Sequence, residues 1–532
     1  MTRKRTIATL AALGGFTATM ALLSGLPAAR ADELSDLRVN QELLQRRLDQ
    51  LAQAPGPGNP FGVGGAPGPR TVQMMGGSFP RSFLIPGTDT SIRVGGEIRA
   101  NALYFITGGA PNAISTNAGS TGQLNNIPLN GAQASRGHST FQLSPQQSKV
   151  NFETRTPTAW GEARTFLEFD WAGNAAASQR VYAISSNLSD RLRYAYGTLG
   201  GLLFGQANSN FGDSDASTEI ISFGGLVGDP APARIAQIRY TMPLAGWGFP
   251  GALSVSAEQP ETEIWTPGST VAAPVINAAG AVVAGTTAVA GTGGVFGAFP
   301  TTAVPGNPLK TPAPDLTASW YIPQPWGHVD FGAVVRPTLQ VKDGLFVDRN
   351  FVGYGFQFSG DVKPRWLGWD RDFITWHVSA GDGAGRSINA GSGNGTIGLV
   401  SNYTNNLAAT ALGATGIIVK PVRSYGGNVG YRHYWAPNLR SNIGIGFHHE
   451  DINTLRGAVC SGGSSAAQVA ARNAGTAGCG LNKELINAAV NLIWNPIPFV
   501  DFGVEYMWGH RVTVSNAQAD ENVVLGRMRV QF

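Results

Sequence analysis

The chain has 532 residues, of which only 14% are charged and 71 are glycine, about twice the usual glycine share. A soluble domain would spread more charge over its surface. The formal net charge of +4 belongs to Arg3, Lys4, Arg5 and Arg30, because residues 1–31 contain no acid. The rest of the chain is balanced, so charge argues for no nucleic-acid partner.

Residues 1–31 read as a signal peptide, with a basic start, an apolar run over 6–26 and the cleavage pattern Ala29-Arg30-Ala31. No apolar run long enough for a membrane-crossing helix follows. Leu34, Leu37, Gln41, Leu44, Leu48 and Leu51 then recur at spacings of three and four, predicting a periplasmic coiled-coil helix over 32–53. Three heptads are marginal alone, so this helix would depend on an oligomer. Residues 54–82 form a Gly/Pro-rich linker without periodicity.

From Thr90 the pattern changes to period two. In SIRVGGEIRANALYF, Ile92, Val94, Ile98, Ala100 and Tyr104 share one face, and Arg93, Glu97, Arg99 and Asn101 the other. Further strands are expected near 147–156, 160–171, 191–198, 200–207, 234–242, 250–259, 314–322, 326–336, 351–360, 371–380, 423–431, 438–449, 484–494, 499–508 and 521–532. With the first, they make sixteen. The connections alternate between long (107–146, 172–190, 208–233, 260–313, 337–350, 381–422, 450–483, 509–520) and tight turns such as TPTA, PQP and APN. That rhythm belongs to bacterial outer-membrane barrels, whose long loops face outward. The expected fold is therefore all-β: a sixteen-stranded antiparallel transmembrane β-barrel over 83–532 in the bacterial outer membrane. Tyr104, Tyr240, Trp494, Tyr506, Trp508 and Phe532 fall on the lipid side near strand ends, as an aromatic girdle requires. The last strand stops on Phe532, which is expected to act as the signal read by the barrel-assembly machinery.

Five stretches in this order resemble DcaP-type porins: FLIPGTDTSIRVGGEIR (Phe83–Arg99), GYGFQFSGDV (Gly353–Val362), SAGDGAGR (Ser379–Arg386), YRHYWAPNLRSNIGIGFHHED (Tyr431–Asp451) and NPIPFVDFGVEYMWGHR (Asn495–Arg511). The resemblance implies a homotrimeric porin with dicarboxylates as the solute class. This chain departs from it in the Ala/Gly/Thr/Val-rich 260–313 loop and in its brief coiled coil. The resemblance also bears on 208–233, which holds Asp213, Asp215 and Glu219. Its place in the chain matches the loop that folds into the lumen of trimeric porins, although its composition equally suits a solvated external loop.

The chemistry of the lumen would rest on arginine, which outnumbers lysine 31 to 7 and offers carboxylates a planar fork. The inward register collects Arg93, Arg99, Lys149, Arg155, Arg164, Arg191, Arg193, Arg239, Arg336, Arg432, Arg440, Arg527 and Arg529. Glu97, Glu153, Glu162, Glu168, Asp170, Asp501 and Glu505 face inward with them. The first eight arginines of this face, up to Arg336, are the expected pore lining, favouring small anionic solutes, and replacing Arg155, Arg164, Arg191 and Arg193 with glutamine is expected to erase that selectivity while leaving thermal stability nearly intact. No catalytic or metal site is expected: His448 and His449 lie on opposite faces, so His448, His449, Glu450 and Asp451 do not converge. No cofactor fingerprint occurs in strand–helix context. A structural or adhesive barrel and an outer-membrane hydrolase are the competing functions. Cys460 and Cys479 are expected to join as a disulfide within an exported loop.

Deleting Phe532 should leave unfolded chain in the periplasm. Normal barrel levels in outer-membrane fractions after that deletion would contradict the expected role of the residue.

Overall fold

The computed structural model describes residues 76–108, 127, 129–130, 140–173, 189–222, 224–229, 233–260, 264–265, 270–272, 275–276, 282–283, 288–290, 309–342, 348–365, 370–388, 397–401, 417–451, 482–513 and 516–532. The signal peptide, the coiled-coil segment, most of the linker, Cys460 and Cys479 lie outside them.

Period-two alternation produces a wall with two unlike faces. Along Ser91–Thr107 the set Val94, Ile98, Tyr104 and Ile106 is 42–57% exposed, whereas Glu97, Asn101, Leu103 and Phe105 are at most 3% exposed. The outer face is thus apolar, as lipid demands, while the inner face carries Glu97 and Asn101 and, toward the Thr107 end, the apolar Leu103 and Phe105. The strands are β1 (Ser91–Thr107), β2 (Thr140–Ser144 with Lys149–Thr158), β3 (Gly161–Gly173), β4 (Ser189–Leu199), β5 (Leu202–Asn208), β6 (Arg234–Pro243), β7 (Ala252–Glu258) and β8 (Asp315–Gln324). They continue with β9 (Gly327–Lys342), β10 (Asp348–Val362), β11 (Phe373–Asp382), β12 (Arg423–Ala436), β13 (Leu439–Asp451), β14 (Asn482–Ile497), β15 (Val500–Thr513) and β16 (Gln518–Gln531).

Each strand pairs antiparallel with its chain neighbour, and β16 returns to β1 with Glu97 opposite Gln531. The sheet is therefore closed, with sixteen strands as expected from the alternation. Phe532 completes the seam: its N–H donates to Gly96 O at 3.1 Å, and Gly96 N–H donates to Phe532 O at 3.2 Å. A side chain at Gly96 would lie 2.3 Å from Lys149 O on β2 and 2.9 Å from the Phe532 ring, so glycine there admits both the neighbouring strand and the closing aromatic.

Two connections expected to be long are short. The segment expected over 337–350 contracts to 343–347, and that over 509–520 to 514–517, because these hairpins stay paired beyond the apolar band. Lys342 faces Asp348, and Val512 faces Gln518. Within the barrel, an apolar cluster of Leu103, Phe105, Ala489, Met507, Val523 and Leu525 receives Ile221 and Leu226 from the β5–β6 connection. Two smaller clusters gather around Ile127 and Leu485, and around Phe211 and Ile388.

The β6–β7 turn supplies a stability test. Gly251 has φ +81°, and a side chain there would lie 2.0 Å from Tyr321 O, whereas Gly246 in the same turn faces open space. Gly251→Val should cost about 2 kcal/mol or more and lower the temperature at which the folded band is lost on a gel. Gly246→Val should behave as the unmutated protein.

Candidate functional site

The inner wall of β1–β4 is built from carboxylates ringed by guanidiniums. Glu153 on β2 is 0% exposed and receives Arg155 Nε and Arg164 Nε, each at 2.8 Å, together with Arg93. Further along β3, Asp170 takes a two-point contact from Arg191, at 2.9 and 2.5 Å, and a third from Arg193 Nη1 at 2.8 Å. Arg193 Nε also donates to Glu168 at 2.6 Å, and Lys149 lies 3.8 Å from that carboxylate. At the seam Arg99 meets Glu97 on its own strand at 3.1 Å, Arg529 on β16 reaches across to Glu97 and back to Asp501 on β15, and Arg527 donates to Asp501 at 2.8 Å.

The pairing leaves a consistent imbalance among the described residues. Arg93, Arg155 and Arg164 face Glu153 and Glu162; Lys149, Arg191 and Arg193 face Glu168 and Asp170; Arg99, Arg527, Arg529, Arg432 and Arg440 face Glu97, Asp501 and Glu219. Each group carries at least one more cation than carboxylate. The arginines are therefore half-committed rather than free, and the expectation that four could become glutamine at no cost in stability is corrected. A buried carboxylate stripped of its cations is strongly destabilising.

Two arginines of the expected lining stand apart. Arg336 has the inward register but is 1% exposed, bound to Asp315 at 3.1 Å and to Gly383 O at 3.2 Å. It braces the segment after β11 rather than meeting solution. Arg239 is half-buried on β6 with no ion pair among the described residues.

A β-bulge places residues that alternation missed. Phe169 pairs with Leu192 but Glu168 with Tyr194, so Arg193 is the extra residue and Tyr194 turns inward beside it. Phe166, Tyr194 and Tyr196 then form a ring cluster with centroids 5.6–6.3 Å apart. Arg164 lies over Phe166 and Tyr196, and Arg234 lies 5.1 Å from the Tyr194 ring. Strict period two puts both tyrosines on the outer face, and no residue of β4 signals the bulge.

The described residues of the 209–233 connection run across the inside of the barrel. Ser209 Oγ donates to Glu258 on β7 at 2.8 Å. Asp213, buried, is held by His328 Nε2 on β9 and by Ser359 Oγ on β10, both at 2.8 Å, while His328 Nδ1 contacts Asp361. Glu219 takes Arg440 Nε and Nη2 at 2.8 and 2.7 Å and Arg432 at 2.9 Å. The Ile221 and Ser222 N–H groups donate to Glu505 at 2.6 and 2.9 Å, and Val227 N–H to Asn487 at 2.9 Å. Asp215 is exposed and makes no ion pair among the described residues. The Asp213–His328–Asp361 latch escaped sequence reading because its members are 115 and 33 positions apart. By contrast, His448 and Glu450 are buried while His449 turns away to Glu484, the divergence expected of that run.

Electrostatics explain why the segment holds. Burial raises the Glu219 carboxyl, but the Arg440 hydrogen bonds and the charges of Arg432, Arg440 and Arg527 overcome it and hold it at about 2. A carboxyl depressed in this way contributes stability that is full above its ordinary 4.5 and lost as pH falls toward about 2. Burial likewise raises Asp213, and the His328 hydrogen bond and charge overcome it, holding it below the usual range. Partial desolvation inside the barrel and the charge of neighbouring Asp213 raise Asp215, although its side chain still meets solvent. Between segment and wall lies a cavity of about 310 Å³, lined by Arg99, Lys149, Arg193, Tyr194 and Arg234 on one side and Ser217, Glu219 and Asp229 on the other.

A family model described as porin subfamily matches residues 81–525. No curated protein sequence matches the chain. The outer membrane channel DcaP of Acinetobacter baumannii superposes with a TM-score of 0.56 at 21% identity, covering 83% of this chain and 97% of that one. The anion-selective porin from Comamonas acidovorans gives a TM-score of 0.44 at 8% identity, covering 83% and 100%.

Replacing Arg93, Arg155 and Arg164 together with Gln should cost about 3 kcal/mol, the lower end for a broken buried pair because these arginines are a quarter to a third exposed. Adding Glu153→Gln should recover most of the loss in thermal unfolding of the folded barrel. Full stability in the triple variant would show that the Glu153 pairs contribute nothing.

Proposed function

This chain belongs to the porin subfamily, and from that membership we propose that it is a homotrimeric channel selective for small anionic solutes, dicarboxylates among them. It is a bacterial outer-membrane barrel of the porin fold, a channel for small solutes. The finer reading rests on one observation: the wall groups of β1–β4 and the β1–β16 seam each hold a cation in excess of their carboxylates.

Low-dielectric walls focus such a field into the lumen and concentrate anions there. The 209–233 segment narrows the passage, so a solute passes within reach of Arg99, Lys149, Arg193 and Arg234. A dicarboxylate then meets guanidinium edges in succession. Each contact is weakened by the carboxylate already bound, which favours release over trapping. Diffusion needs no catalytic group. Support for the trimer comes from the outer face of β2–β5, where Thr154 and Thr165 hydrogen-bond each other at 2.6 Å and Gln206 lies beside small Ala195 and Gly197. Polar and small side chains suit a subunit contact better than lipid.

In planar bilayers under a KCl gradient, the reversal potential should show anion preference. It should be strongest at low salt, because the Debye length at physiological ionic strength is about 8 Å, and succinate should interrupt the current. Cation preference in the unmutated protein would sink the reading.

A further inference from the structure

A hairpin ahead of β1 enters the inner wall. Gly76 bridges Phe83, Gly77 N–H donates to Ser82 O at 3.0 Å, and Ser82 N–H donates to Phe79 O at 3.1 Å. Arg81 takes a left-handed φ of 63° to close the turn. Phe83 and Leu84 then pair with Ile92 and Ser91, at the foot of the β1 edge that β16 has stopped covering by Gly96. The hairpin is fastened inside, since Ser78 N–H donates to Oγ of inward-facing Ser91 at 2.9 Å and Ser91 is 0% exposed.

This arrangement seats Phe79 against the arginines around Glu153. The ring is 8% exposed, its centroid 4.5 Å from the Arg155 guanidinium carbon and 5.6 Å from that of Arg93. It belongs to none of the three apolar clusters described above, so its partners are charges rather than a core. Arg93 and Arg155 already give hydrogen bonds to Glu153. The ring covers guanidinium surface that the carboxylate leaves open, and its π-face offers partial negative charge in place of an approaching anion.

We propose that Phe79 is a specificity-determining residue of the channel: at the short-turn mouth of the barrel it masks Arg93 and Arg155 from passing anions and narrows the exit beside them. The inference rests on the porin reading, where the short-turn mouth is the periplasmic one. It places a ring of the chain itself over Arg93 and Arg155, whose side chains keep 25% and 31% exposure, so that the two are partly covered cations at that mouth.

Full-length protein carrying Phe79→Ala, Phe79→Leu or Phe79→Tyr would be measured in planar bilayers under a KCl gradient. Phe79→Ala should raise single-channel conductance and increase the anion-to-cation permeability ratio about two- to five-fold, the equivalent of one exposed cation–π contact. Phe79→Leu keeps apolar bulk without a π-face, and should raise the ratio while leaving conductance near its original value. Phe79→Tyr should restore both. Unchanged conductance and unchanged reversal potential in the Ala and Leu variants, with current in the unmutated protein, overturn the inference alone. An unmutated protein that passes no current overturns the porin reading with it.

Discussion

Lipid offers no hydrogen bonds, so a sheet that crosses it cannot keep a free edge. That constraint fixes where the chain must meet itself. β1 and β16 lie more than four hundred residues apart in the chain and must still share a ladder, which runs from Glu97 opposite Gln531 up to Thr107 opposite Asn522. Closure sends every second side chain into an enclosed space, and that space must be wet or filled. Toward the Thr107 end of β1 and beside it on β15 and β16 it is filled, by Leu103, Phe105, Met507, Val523 and Leu525 with Ile221 from the inner segment. Toward the Glu97 end of that seam and along β2–β4 it is charged. The polarity of the lumen is thus uneven.

Arginine suits the charged side for a geometric reason. Glu153 is fully buried from solvent yet serves three cations from three positions on adjacent strands. A planar fork divides its donors between a carboxylate and whatever else is near, whereas an ammonium is a compact point charge. The single lysine in these groups, Lys149, stands 3.8 Å from Glu168, the loosest contact of its cluster. Pairing also stiffens the wall, because each guanidinium joins neighbouring strands as well as facing the lumen.

Most of the fold was legible because its signal is local. Alternation in β1, or in β15 from Asp501 to Met507, reports burial directly, and a tight turn is marked by its own Gly or Pro. Strand ends were less legible: Lys342 and Asp348 pair beyond the apolar band, where no change of pattern marks the boundary. Site residues were legible only as far as register holds. One extra residue at Arg193 reversed Tyr194 and Tyr196. Arg336 kept its register, but its burial depends on Gly383, forty-seven positions away. The inner position of 209–233 depends on contacts such as Glu219 with Arg440 and Ile221 with Glu505, between residues more than two hundred positions apart. No window of sequence contains such pairs.

On the anion-channel reading proposed above, the lumen has to attract its solute without keeping it, and the wall would meet both demands with one device. An unpaired arginine in a narrow lumen would bind a dianion through a charge-assisted fork, the strongest kind of hydrogen bond available. Such a site would slow transport by slowing release. Sharing each carboxylate among two or three guanidiniums lowers the charge that any one presents, while the surplus still adds along the wall. Glu219 applies the same logic from the opposite side: it is held ionised near Arg432 and Arg440, so the inner segment is anchored by neutralising their charge. On that reading the ion pairs that hold the lumen in shape would be the same ones that keep its attraction weak, with stability and permeation set by a common group of residues.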